Sequence, residues 1–415
     1  MKFSAPKGTR DLLPPETAQW QYLERIFADV SSRFSYREIR LPTFEQTELF
    51  QRGVGDTTDV VQKEMYTFSD KGGRSMTLRP EGTAGVVRSY LENGLGSWPS
   101  PVRLFYNLTA FRYENVQKGR YREFHQFGCE AIGSSGPAVD AELISLLQLF
   151  FDELGLKETR LRINSIGCPV CRERYLQTLK EWLSPNIDQL CANCRARFER
   201  NPLRILDCKE ERCQKVTAEA PAQLDHLCPD CQNHFDGLCR ILDTLALSYV
   251  IDRRIVRGLD YYTRTVFEFV SEHVGTQGTI CGGGRYDGLI EALGGPPTPG
   301  IGFALGVERL LMELQAQSIG LPGDPPVDLF IAVAGDYATE AYLLTQQLRR
   351  QGIRVETDLL DRSLKAQMKY AGKNNMRYVL VLGEEEVQKR TGRLRHLETR
   401  EETTVQLDRL AEALV

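Results

Sequence analysis

Phe111-Arg112-Tyr113-Glu114, followed after a short interval by Arg120-Tyr121-Arg122-Glu123-Phe124-His125-Gln126, decides how this chain is read. The aromatics favour strands, and residues 115–119 between them read as a charged turn. The whole is a strand, a turn and a returning strand. A guanidinium offers a rigid fork to phosphate oxygens, and an aromatic ring beside it can stack on a base. Arginines held on strands next to aromatics therefore suit the grip of a nucleoside triphosphate.

Upstream of the hairpin, Trp20, Leu23, Ile26, Phe27 and Val30 lie near helical spacing, which predicts a helix over 16–34. Residues 36–41 then read as a strand stopped by Pro42. Downstream, 138–154 read as a strongly apolar helix, and strands are expected at 265–270 and near 279–281. Gly294-Gly295-Pro296-Pro297 is a turn, and the chain is expected to pass from strand into helix from Gly302 onwards, ending in Glu308-Arg309. The glycines at 300, 302 and 306 lack dinucleotide spacing and a βαβ context. No Gly-x-x-x-x-Gly-Lys-Ser/Thr stretch occurs, which argues against a P-loop. Leu321-Pro322-Gly323-Asp324-Pro325-Pro326 reads as a linker. Beyond it, strands at 327–334, 353–357 and 378–382 alternate with helices at 338–350 and 363–374, the pattern of a small α/β domain with right-handed crossovers.

A chain of 415 residues is long enough for two or three domains. A net charge of -4 carries no global basic signature, so any nucleic-acid surface must be a local patch. No apolar run approaches the ~18 residues of a membrane span. The N-terminal residues lack the apolar core of a secretion signal, so a cytoplasmic location is expected. Nine of the 11 cysteines fall between Cys168 and Cys239. Cys168/Cys171, Cys191/Cys194 and Cys228/Cys231 are Cys-x-x-Cys pairs, and Cys208/Cys213 make a looser fourth. Two thiolates from one turn can face one ion, and two pairs complete a tetrahedral zinc site. Buried small hydrophobes are the bland alternative. A redox role lacks a thioredoxin-like context. The spacing favours structural zinc, with the pairing left open and His226 and His234 as possible substitutes for a cysteine.

Taken singly, each stretch has an ordinary structural explanation. Taken in order, they do not. The hairpin resembles motif 2 of the class II aminoacyl-tRNA synthetases. The 16–42 helix, strand and proline resemble motif 1, and Glu308-Arg309 at the end of its glycine-rich run resembles motif 3. Thr77-Leu78-Arg79-Pro80-Glu81-Gly82-Thr83 resembles the amino-group-binding segment. Arg257-Gly258-Leu259-Asp260-Tyr261-Tyr262 and Gly283-Gly284-Arg285-Tyr286-Asp287 resemble the two signatures of the histidyl-tRNA synthetase family.

That resemblance implies an α+β catalytic domain over 1–325, with an antiparallel sheet flanked by helices. It also implies a cysteine-rich, mostly helical insertion at 168–250 and an α/β anticodon-binding domain at 326–415. The implied reaction activates L-histidine with ATP and Mg2+, then transfers it to the 3′ end of tRNA(His). Arg112 and Arg257 would meet the α-phosphate and the substrate carboxylate, with Arg257 in the place other class II enzymes give to a metal ion. Arg120 and Arg309 would hold the β- and γ-phosphates. Glu114 would contact the adenine amino group, and Phe124 would stack on the ring. Glu81, Thr83 and Gln126 would hold the amino-acid end, while Glu130 and Tyr262 would take the imidazole, with Tyr261 and Tyr286 alongside. Gln117 and Lys118 would approach the tRNA acceptor end. Asn115-Val116 departs from the Arg-Pro often found there. The resemblance also implies a homodimer through motif 1. A catalytically silent regulatory subunit of ATP phosphoribosyltransferase is the alternative. It fits less well, because such subunits typically lack the C-terminal domain and the matched arginines.

Overall fold

The hairpin lies within an eight-stranded sheet. A computed structural model describes residues 3–55, 58–206, 208, 210–255, 257–272, 278–374 and 376–414. Across the sheet the strands run Arg37–Glu38, Val102–Phe111, Glu123–Ile132, Gly300–Gly306, Thr279–Arg285, Thr263–Val270, Arg160–Ser165 and Tyr249–Ile251. The inner pairs are antiparallel, and the two outermost pairs are parallel.

Side chains alternate across a strand, and here the two faces have different tasks. On Glu123–Ile132, Phe127, Cys129 and Ala131 enter the main core, beneath the helices Glu16–Arg33 and Pro137–Glu153. Phe27 of the first helix stacks on Phe127 with ring centroids 4.7 Å apart. Phe124, Gln126 and Glu130 point to the opposite face. Glu130 pairs with Gly302 on the neighbouring strand, and a Cβ on Gly302 would come within 1.7 Å of the Glu130 carboxylate. Only glycine admits that side chain.

Three expected boundaries shift. The hairpin strands end at Phe111 and resume at Glu123, so Arg112 and Arg120 lie on the connecting loop. One further rung, Arg112 N to Arg122 O at 2.9 Å, continues the ladder. Other partners then draw the arms apart: Tyr113 N donates to Glu64 O (2.7 Å) and Arg122 N to Gly8 O (2.8 Å). The glycine-rich strand continues to Gly306, because each residue through Gly306 still pairs with 126–132, and the helix begins at Val307. The strand expected over 36–41 shrinks to Arg37–Glu38. The Leu41 and Pro42 carbonyls are instead taken by the Arg79 guanidinium at 2.7 and 3.0 Å.

The cysteine-rich segment carries the helices Pro169–Leu183, Ala192–Arg200, Glu211–Val216 and Pro229–Thr244. The last of these packs into the main core through Phe235, Leu238 and Leu242. It is also pinned by a buried ionic group. His234 Nε2 lies 2.8 Å from Asp140, whose other oxygen receives Arg285 at 2.5 Å. His234 is thus committed to a carboxylate and is not available as a metal ligand.

Contacts divide the chain into units Met1–Leu321 and Pro322–Val415. In the second, Val355–Thr357, Leu329–Val333 and Tyr378–Leu382 are parallel, with helices Ala338–Arg350 and Leu364–Lys373 between them in sequence. An antiparallel hairpin, Thr391–His396 and Glu402–Gln406, extends the sheet beyond what the sequence pattern indicated.

Candidate active site and cysteine clusters

A cleft of about 1220 Å³ opens over the site face of the sheet. Glu81, Thr83, Arg112, Glu114, Arg120, Phe124, Gln126, Arg257, Tyr261, Tyr262 and Arg309 all line it. Gln117 and Lys118 sit at the exposed tip of the hairpin loop, which Gln117 and Arg120 close with reciprocal backbone hydrogen bonds. Glu130 and Tyr286 lie behind the wall, fully or almost fully buried.

One end of the cleft is rich in guanidinium groups. Glu114 stands between Arg120, whose Nη1 donates at 3.3 Å, and Arg112 at 3.9 Å. Arg112 Nε donates to Pro80 O at 2.9 Å, and its guanidinium lies 5.4 Å from the Phe124 ring. Arg309 Nη1 donates to Thr279 O at 2.6 Å. Burial and the like charges of Arg120 and Arg112 push the Arg309 guanidinium below its usual range, only partly offset by Glu114 and Glu268. Arg257 forms an ion pair with Glu268. Burial opposes its charge, but Tyr262 and Glu268 overcome that and raise it. Among the described residues its Nε is buried with no hydrogen-bond partner. A Cβ on Gly282 would strike its Nη2 at 2.3 Å, so glycine gives the guanidinium its seat.

The other end is carboxylate and hydroxyl. Glu81 is buried, and its two oxygens accept the Thr83 and Ala84 backbone N–H groups, each at 2.7 Å, at the start of helix Thr83–Glu92. Glu130 Oε1 accepts the hydroxyls of Thr83 (2.7 Å) and Tyr106 (3.2 Å), and Oε2 accepts that of Tyr286 (2.7 Å). Burial pushes the Glu130 carboxyl up to about 8, although the hydroxyls work against the shift. Gln126 Oε1 is buried with no partner among the described residues, an acceptor at the cleft wall. Tyr106 and Glu268 were not singled out from sequence, and Glu308 was named with Arg309 but given no role. Glu308 accepts from His125 N (3.0 Å) and pairs with its ring (2.8 Å), tying the helix after the glycine-rich strand to the hairpin. Its place beside Arg309 was the available signal.

The eight paired cysteines gather into two groups: Cys168, Cys171, Cys228 and Cys231, and Cys191, Cys194, Cys208 and Cys213. Within each, the sulfurs lie within 4.8 Å of one another. Cys168 Sγ is 3.6 Å from Cys171 and 4.0 Å from Cys228, and Cys191 Sγ is 3.9 Å from Cys208. A tetrahedral ion with metal–sulfur bonds of about 2.3 Å requires edges of about 3.8 Å. Backbone N–H groups point at the sulfurs, from Cys228 to Cys171 (3.0 Å) and from Cys191 to Cys213 (3.2 Å). Both groups can hold a metal ion.

A family model described as histidyl-tRNA synthetase matches residues 8–310. The chain belongs to the histidyl-tRNA synthetase family. An anticodon-binding-domain model matches residues 328–415. The chain is 60% identical to the histidine–tRNA ligase of Acetivibrio thermocellus and 50% identical to that of Caldanaerobacter subterraneus, each over the full length of both chains. Apo histidyl-tRNA synthetase of S. aureus superposes with a TM-score of 0.85 at 39% identity, covering 99% of each chain. By family the chain is a histidine–tRNA ligase, and its match to the anticodon-binding model sets it apart from the silent regulatory-subunit alternative.

Proposed function

We propose that the cleft performs both steps of histidine attachment to tRNA(His). A carboxylate oxygen of L-histidine attacks the α-phosphorus of ATP, the bond to the bridging oxygen breaks, and pyrophosphate leaves. The terminal ribose hydroxyl of the tRNA then attacks the aminoacyl carbonyl, gives up its proton, and AMP leaves. The observation that carries this reading is the gathering of Arg112, Arg120, Arg257 and Arg309 on one cleft with a buried carboxylate end beside them. Adenylation needs in-line positioning and positive charge around phosphorus more than covalent help.

In this reading Arg112 and Arg257 neutralise the α-phosphate from two sides. Arg120 and Arg309 hold the β- and γ-phosphates, to which magnesium comes as part of the substrate complex. Glu114 takes the adenine amino group, and Phe124 stacks on the ring. Glu81, Thr83 and Gln126 hold the ammonium end. Glu130 and Tyr262 serve the two imidazole nitrogens, beside Tyr261 and Tyr286. Both Glu130 oxygens are occupied here, so a ring N–H reaches Glu130 when the Thr83 hydroxyl turns to the ammonium. Gln117 and Lys118 meet the acceptor end, and the 326–415 domain reads the anticodon. Each four-cysteine group holds a structural zinc ion. The enzyme works as a homodimer in the cytoplasm. No described helix is long and apolar enough to cross a membrane.

Given ATP, magnesium and a tRNA(His) transcript, the protein should charge the transcript with labelled histidine. Replacing the histidine anticodon should lower that charging. Failure to charge, by folded protein that binds ATP, would sink the reading.

A further inference from the structure

The second cysteine group stands beside the cleft, and its surroundings lead to the catalytic loop. Cys191 precedes helix Ala192–Arg200 and its sulfur accepts the Cys194 N–H at 3.4 Å. That helix carries Arg197, the single turn Pro202–Ile205 carries Arg204, and Asn201 joins the two. All three reach away from the insertion. Arg204 Nη1 donates to Gly258 O at 2.8 Å, directly after Arg257. Asn201 donates to Asp260 at 3.1 Å. Arg197 and Arg204 both grip Asp59, at 3.2 and 2.8 Å, on another part of the cleft wall.

What holds this arm is slight. Its elements are short, and its apolar core is a small cluster around Tyr175, Leu179, Leu183, Leu190, Leu203 and Ile205. Cys191, Cys194 and Cys213 are buried within that cluster. Small cores of this kind rely on a covalent or metal staple. The sulfur spacing suits a tetrahedral ion and is far beyond the ~2.05 Å of a disulfide.

We propose that zinc held by Cys191, Cys194, Cys208 and Cys213 is a positioning device for adenylation: it fixes Arg197, Asn201 and Arg204 against the loop that carries Arg257. The ion touches no substrate. This rests on the role given to Arg257 above. The Cys168 group also reaches this loop, through Arg172 Nη1 on the Asp260 carbonyl at 3.3 Å, but the Cys191 group lines the cleft itself and carries the contacts to Gly258 and Asp59.

The test combines zinc content, ATP–pyrophosphate exchange, histidine affinity and backbone amide exchange over residues 257–262. The parent protein should hold two zinc ions per chain. Cys194→Ser should lose one, lower the exchange kcat roughly 10- to 100-fold, leave the histidine Kd within a few-fold, and speed amide exchange in the loop. Arg204→Ala should keep both ions yet show part of that fall and part of the loop loosening. The double variant should be no worse than Cys194→Ser alone, since the zinc acts on the loop partly through Arg204. Loss of one zinc with turnover and loop protection unchanged would overturn the coupling. Two zinc ions retained in Cys194→Ser, or none in the parent, would overturn the site. If Cys194→Ser does not fold, Arg204→Ala decides alone, and unchanged turnover there overturns the proposal. A parent that holds zinc but shows no histidine-dependent exchange would count against the proposed reaction and not against the metal site.

Discussion

The two ends of the cleft are built on opposite electrostatic plans. At the end proposed for the amino acid both carboxyl groups are hydrogen-bonded before any ligand arrives, Glu81 by backbone N–H groups and Glu130 by three hydroxyls. At the end proposed for the nucleotide, Arg112 and Arg120 share Glu114, while Arg309 is held down by burial and by its cationic neighbours. The contrast separates two tasks. A polar end whose carboxyl groups are already hydrogen-bonded, with the Gln126 oxygen left as an open acceptor, rejects a wrong side chain because the displaced hydroxyls and carboxyl would be left unmatched. An end with surplus positive charge is organised in advance for a polyanion, and its surplus is worth most when charge develops at phosphorus.

The largest break in this contrast is Arg257→Ala. In the proposed assignment this cation stands at the reacting centre, and its loss should lower histidine-dependent pyrophosphate exchange by about 1000-fold. The histidine Kd should stay within a few-fold. Unchanged turnover would remove Arg257 from the chemistry.

Glu130 gives the next effect, in stability. Its buried carboxyl is raised from 4.5 to about 8. Between those values the folded protein keeps a proton that the unfolded chain has released. Stability therefore falls as pH rises through that window, and the loss is complete above about 8. The contribution is up to a few kcal/mol. Glu130→Gln should flatten the fall, seen by comparing denaturant midpoints of the two proteins from acid to alkaline pH. Parallel curves would show that the hydroxyls hold Glu130 ionised.

Two smaller changes sharpen the division. Glu81→Gln keeps the shape but loses the charge proposed to face the ammonium. The histidine KM should rise roughly 10- to 100-fold with the ATP KM unmoved. Arg309→Gln should do the reverse, raising the ATP KM about tenfold and leaving histidine alone. Equal shifts in both KM values, from either variant, would mean that the ends are not separate.

The legible parts of the sequence were those in which chemistry and local pattern coincide. The arginine and aromatic hairpin was readable because both its composition and its order are unusual, and the cysteine pairs because thiolate spacing has few uses. What stayed hidden depends on partners far apart in the chain. Tyr106 reads as one more strand aromatic until the hairpin folds it onto Glu130. Asp140 reads as an ordinary charge on an apolar helix until Arg285 and His234 close on it. The pairing of the cysteines follows from the way the helices return, which spacing alone does not encode. The hairpin strands stopped early because Glu64 and Gly8, distant in sequence, compete for its backbone. The Thr391–Gln406 hairpin escaped notice because few of its residues are buried and its polar alternation is weak.

The most direct measurement is pyrophosphate exchange into ATP with magnesium, testing each amino acid separately. Exchange with histidine alone is predicted, since in the proposed assignment only its ring would meet both Glu130 and Tyr262 while its carboxylate would lie among the arginines. Exchange with another amino acid, or none at all in folded protein that binds histidine, would contradict the account.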